Sequence, residues 1–156
     1  MGFATHLGPW LLGTVKNTTG TTAGTVQNTG CTIVAQTKSI TYTDTTADTL
    51  AMCLPAGALI TSVQMITPTT AFGAGTITIK VGSTTLVNAA TLPTALGVSA
   101  LTIATTGGAV ANNVGATDQL VTFTLASSPT LGTSTLVIAY MVRDSSGNQS
   151  QPANQQ

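Results

Sequence analysis

The strongest constraint in this chain is a two-residue rhythm, in which apolar and polar side chains alternate over short stretches that end at glycine or proline. Thr76-Ile77-Thr78-Ile79-Lys80-Val81 alternates before Gly82, and Gln119-Leu120-Val121-Thr122-Phe123-Thr124-Leu125 repeats the pattern. Ser39-Ile40-Thr41-Tyr42-Thr43 does the same. Alternation of this kind puts every second side chain on one face of a strand. No segment sustains the 3.6-residue period of an amphipathic helix. Further strand candidates are Cys31–Gln36, Leu50–Leu54, Ala58–Thr67, Thr84–Ala89, Val98–Ala104 and Ser134–Val142, separated by turn signals such as Pro55-Ala56-Gly57 and Phe72-Gly73-Ala74-Gly75. Ser134–Val142 is the strongest apolar run and reads as a buried central strand. Strands spaced about every 8–12 residues predict an antiparallel β-sandwich or barrel.

Residue usage agrees. About one residue in five is threonine, which is β-branched and shows water a hydroxyl without a charge. Glutamate is absent and lysine scarce, so the usual residues of an exposed helix face are missing. The 156 residues suffice for one domain with a sizeable core. Hydrophobic residues at 42% and a mean hydropathy of +0.38 argue against a disordered chain.

Charge narrows the functional classes. Lys16, Lys38, Lys80 and Arg143 balance Asp44, Asp48, Asp118 and Asp144, only 5% of the chain. Four scattered cations do not make the clustered basic surface that neutralises phosphates, so nucleic acid is not an expected partner. A nearly uncharged surface gives copies little mutual repulsion, which suits a protein whose working state is an assembly. The start, MGFATHLGPWLLG, has no basic n-region or long apolar run, and Met1-Gly2 lacks the Ser or Thr that myristoylation wants at His6. The longest apolar candidate, Leu136–Val142, is too short for a membrane-spanning helix. A soluble chain without a membrane partner is expected. Cys31 and Cys53, both flanked by apolar residues, read as small buried hydrophobes, with a disulfide between them left open.

Residues 1–30 differ from the rest. Gly13-Thr14-Val15-Lys16-Asn17-Thr18-Thr19-Gly20 is echoed by Gly24-Thr25-Val26-Gln27-Asn28-Thr29-Gly30, and each pairs a β-prone piece with a turn signal. The expected organisation is an extended N-terminal arm over residues 1–30, a β-sandwich over 31–143 and a polar, flexible tail over 144–156. Within the arm, Phe3, Trp10, Leu11 and Leu12 are candidate anchors for a partner, because large apolar side chains on a polar segment suit a binding hot spot. The competing reading folds Trp10 back onto its own sandwich.

Leu54-Pro55-Ala56-Gly57-Ala58-Leu59-Ile60, the turn at Ala71–Gly75, the strand Thr76–Val81-Gly82 and a closing strand with Ile138-Ala139-Tyr140 together resemble small β-sandwich proteins of tailed phages. Some of these are capsid decoration, or cement, proteins. The opening Phe3–Asn17 also resembles the starts of small structural proteins of phages infecting cyanobacteria and other aquatic bacteria. The resemblance implies a jelly-roll-like sandwich, often a homotrimer, made in the host cytoplasm and bound to the major capsid protein on the capsid exterior. It carries no catalytic residues and no cofactor. A head-fibre, neck or tail component, or a carbohydrate-binding adhesin-like sandwich, are the alternatives.

Chemistry has few places to reside. His6 is the one histidine and lies in the arm, away in sequence from every aspartate, so neither a catalytic base nor a metal site is expected there. Asp44 and Asp48 share a threonine-rich loop but fall short of the 6–8 oxygens calcium takes; Asx-turn capping is the expected role, with an ion shared at a subunit interface as the alternative. Thr41-Tyr42-Thr43, Thr76-Ile77-Thr78 and Thr122-Phe123-Thr124 lack the regular repeat of a flat ice-binding array and read as solvent-facing threonines. The Asn17 and Asn148 sequons are chance matches in so threonine-rich a chain, and Gly73-Ala74-Gly75 is a turn. An enzyme is not expected.

Overall fold

The described residues form eight strands: β1 (Ile33–Thr41), β2 (Thr49–Leu54), β3 (Leu59–Thr67), β4 (Thr76–Val81), β5 (Thr84–Thr91), β6 (Gly97–Ala100), β7 (Gln119–Ala126) and β8 (Thr133–Met141). The computed structural model describes residues 33–127 and 129–142. The expected arm, with Phe3, Trp10, Leu11 and Leu12, the C-terminal tail, His6, Cys31 and both sequons lie outside the described residues.

The strands form two four-stranded antiparallel sheets, ordered β1-β8-β3-β6 and β2-β7-β4-β5. Only the β4–β5 hairpin joins sequence neighbours within one sheet; every other connection crosses to the opposite sheet. That order is a jelly roll, an eight-stranded double Greek key. The hairpin turns on Gly82, whose φ of 57° suits a residue without a Cβ in a two-residue turn. Its N–H donates to the Leu120 carbonyl at 2.8 Å and ties the turn to β7.

The two-residue rhythm sorts core from surface. In β8, Ser134, Leu136, Ile138 and Tyr140 are buried and the residues between them half-buried; in β4, Ile77, Ile79 and Val81 point inward. Phe123, Leu54, Met65 and Leu86 join them in one core between the sheets. Two inward positions are polar: Thr67 and Ser134 are fully buried and share a hydroxyl–hydroxyl bond of 2.6 Å. Each satisfies the other, which removes the penalty of a lone buried hydroxyl.

Three sequence readings are revised. Cys31–Gln36 and Ser39–Thr43 are not separate: β1 runs unbroken from Ile33 through Thr37 and Lys38 to Thr41, because Gln36 and Lys38 continue the inward parity of Ile40 at the sheet's edge. The run Val98–Ala104 yields strand only at Gly97–Ala100. Beyond it come a 3-10 turn at Thr105–Gly107 and a short helix, α1 (Gly108–Asn112), too brief to show a helical period. Cys53 is exposed, not buried: a register shift between Leu50 and Met52 places Met52 and Leu54 inward and Cys53 outward. Tyr42 is exposed just past the end of β1.

Loop packing is close where Phe72 seals one end of the core. Gly132 has a φ of 122°, and a Cβ there would stand 2.5 Å from Phe72 Cδ1. Phe72 N–H donates to the Pro93 carbonyl at 2.9 Å, and Thr133 N–H to that of Thr70 at 2.9 Å, which holds the ring in place.

Candidate functional site

The aspartates have separate structural duties. Asp44 accepts from the Thr41 backbone N–H at 2.7 Å and from Thr41 Oγ1 at 3.2 Å, so it caps the end of β1 by reaching back three residues, not by the expected Asx-turn, which takes an N–H two residues on. Asp48, at φ 52°, accepts from Lys80 Nζ at 2.9 Å in a solvent-exposed ion pair. Asp118 accepts from the Ala56 N–H at 2.9 Å and braces the β2–β3 turn. Among the described residues no three His, Cys, Asp or Glu side chains are placed to hold a metal ion, and no helix is long and apolar enough to cross a membrane.

Two of the three Thr-x-Thr motifs do meet. Thr78 lies opposite Thr124 on the outer face of the β2-β7-β4-β5 sheet, with Thr76 and Thr122 nearby. Their hydroxyls serve the backbone: Thr124 Oγ1 accepts from Asp48 N–H at 2.8 Å and Thr78 Oγ1 from Ala89 N–H at 3.2 Å. Leu50, Cys53 and Leu120 lie together at the β2 side of this face.

The outer face of the β1-β8-β3-β6 sheet is of another kind. Register sets Ile33 beside Met141 and Leu59, Thr37 beside Val137, Gln64 and Ala100, and Ser39 beside Thr135, Ile66 and Val98. No charged residue occupies any of these positions. Val98 is 65%, Ile33 60% and Ile66 39% exposed. β8 explains why sequence reasoning missed this face. Its run from Leu136 to Met141 is apolar at every position, which normally marks a strand covered on both sides. Here Leu136, Ile138 and Tyr140 face the core, while Val137, Ala139 and Met141, half-buried, face the other side of the sheet. The available signal was that continuous run, read as burial within the chain.

The two edges on the β1/β2 side are joined by one side chain. Gln36 Nε2 donates to the Cys53 carbonyl and to Tyr140 Oη, both at 2.8 Å, bridging β1 to β2 across the mouth of the sandwich. Next to it Lys38 shares the inward parity of Ile40 and is half-buried.

These features define an all-β jelly roll with one uncharged, partly apolar sheet face. No protein-family model matches the sequence, and no curated protein matches it. Two solved structures contain similar chains. One, from the capsid of Ralstonia phage GP4, is 20% identical over 73% of this chain and 86% of its own, with a TM-score of 0.44. The other, from the cyanophage Pam1 capsid asymmetric unit, is 19% identical over 80% of this chain and 95% of its own, with a TM-score of 0.39. Similarity at this level establishes neither family nor role.

Proposed function

We propose that this chain is a structural virion protein that binds the outside of a phage capsid and stabilises it through protein–protein contacts. The observation that carries the reading is the outward side of β8. Val137, Ala139 and Met141 make a central strand that is apolar on both sides, yet among the described residues only one side packs into the core. A face without charges can be buried against a neighbour without desolvating ions. Jelly rolls serve in viral capsids, lectins and cupins, so the fold alone does not choose. A lectin-type site favours exposed aromatic platforms, and among the described residues Tyr42 is the one exposed aromatic. The resemblance to phage decoration proteins favours the capsid.

In this reading Phe3, Trp10, Leu11 and Leu12 anchor the arm on the major capsid protein, and the uncharged sheet face covers the shell beside it. Binding to the assembled lattice and not to its unfolded subunits would stabilise the shell by mass action. The test is co-sedimentation of the purified chain with assembled shells of the phage that carries its gene. The full chain should bind and raise the shell's melting temperature, and removing residues 1–12 should leave a folded protein that no longer binds. Unchanged binding by the shortened chain would remove the arm from the mechanism, and no binding by the full chain would end the proposal.

A further inference from the structure

Three of the four sheet edges carry a device that stops another strand from adding. β1 has Lys38 at its middle, an inward-pointing charge that any added strand would have to bury. β2 has its register shift, and its Cys53 carbonyl is already taken by Gln36. Along the β4–β5 ladder the register shifts twice, Ala89 is forced to φ 44°, and the Leu86 carbonyl accepts from Ala104 N–H at 2.8 Å. β6 has none of these. Gly97-Val98-Ser99-Ala100 contains no charge and no proline, and pairs with β3 without a register shift. The short helix packs on β3 and β5, away from it.

The hydrogen-bond parity of β6 is fixed by its neighbour. Leu101 N–H donates to the Val63 carbonyl at 2.9 Å, and antiparallel ladders alternate, so Ser99 with Met65 and Gly97 with Thr67 are the bonded pairs. The N–H and C=O groups of Val98 and Ala100 therefore point away from the sheet, along an edge that no described strand covers. Val98 is 65% and Leu96 60% exposed at the same edge.

We propose that β6 pairs with β6 of a second copy of this chain, antiparallel about a two-fold axis through Ser99, so that two β1-β8-β3-β6 sheets become one eight-stranded sheet. The self-complementarity is specific. With Ser99 opposite Ser99 of the second copy, each Val98 lies opposite an Ala100, and these are the residues with outward backbone groups. Four backbone hydrogen bonds close inside the strand, while Val98 and Ala100 alternate across the axis on the outer face. A two-fold contact brings each edge against itself, so any charge there would meet its like; this edge has none. The row Ser39, Thr135, Ile66 and Val98 then continues into the second copy. The pairing is independent of whether the partner face meets a capsid.

The experiment is analytical ultracentrifugation of the full chain over a concentration series, with three variants. The wild type should reach the mass of two copies. Val98→Pro removes an N–H that the fold itself does not use, which an edge strand tolerates, and should weaken association at least tenfold. Thr37→Lys, on the same outer face but in β1 at the opposite edge of the sheet, should associate as the wild type does. Ser99→Cys, with Cys31 and Cys53 changed to Ser, should form an intermolecular disulfide on oxidation, since unbonded antiparallel pairs sit about 4.5 Å apart at Cα. A wild type that stays monomeric or closes as three copies overturns the proposal. So does a pair that survives Val98→Pro or is lost in Thr37→Lys. If Val98→Pro does not fold, the Ser99→Cys cross-link decides, and its absence overturns the proposal.

Discussion

The two sheets of this jelly roll are built by the same rule and finished differently. Inside, both are the same: each strand sends every second side chain into the shared core, with Leu136 and Ile138 from one sheet facing a space that Phe123 and Ile79 fill from the other. Outside, they diverge. The β2-β7-β4-β5 sheet shows threonines whose hydroxyls are engaged with backbone, along with the Lys80–Asp48 pair. The β1-β8-β3-β6 sheet shows aliphatic residues among uncharged polar ones such as Thr37, Gln64 and Thr135, with no ion. The inner faces satisfy the requirement to fold, so the difference outside records what each surface meets once folding is complete.

The largest effects should come from the inner faces and should be symmetric. Ile138→Ala in one sheet should cost about 2–5 kcal/mol and Phe123→Ala in the other about 3–5 kcal/mol, measured by chemical denaturation, because both side chains are fully buried. A cost confined to one sheet would break the claim that the core is shared equally.

The outer faces should respond asymmetrically. Val137→Lys places a charge in the centre of the uncharged face, and shell binding should fall about a hundredfold, or roughly 2.7 kcal/mol. Thr124→Lys, at the matching position of the other sheet, should leave binding within a factor of two. Equal losses in a co-sedimentation titration would dissolve the contrast between the faces.

A smaller effect sharpens the comparison inside the first sheet. Thr67→Val strands the Ser134 hydroxyl in the core and should cost about 1–3 kcal/mol, whereas adding Ser134→Ala should restore part of that loss. Thermal denaturation of the single and double variants reads this directly. An additive double variant would mean that the 2.6 Å bond between the two hydroxyls contributes little.

Much of the fold was legible because strands announce themselves by alternation and turns by glycine and proline. β4 and β7 follow their sequence patterns almost residue for residue. The strand order was not legible, since which edges pair depends on contacts between residues far apart in the chain. The short helix escaped because five residues cannot display a period. Cys53 escaped because its apolar neighbours suggested a buried run, and only the register shift in β2 shows which of them turn inward. The open face escaped for a related reason: an unbroken apolar strand states that both sides are covered without stating by whom. Phe3, Trp10, Leu11 and Leu12 keep the role proposed for them above.

Lys38 has a consequence that reaches past its own strand. A ribbon with two adhesive sides can recruit members without limit, whereas one with a single adhesive side stops at a couple. By making the β1 margin costly to extend, that ammonium acts as a terminator: replacing it with threonine would leave both margins open, and a finite pair could give way to fibre growth.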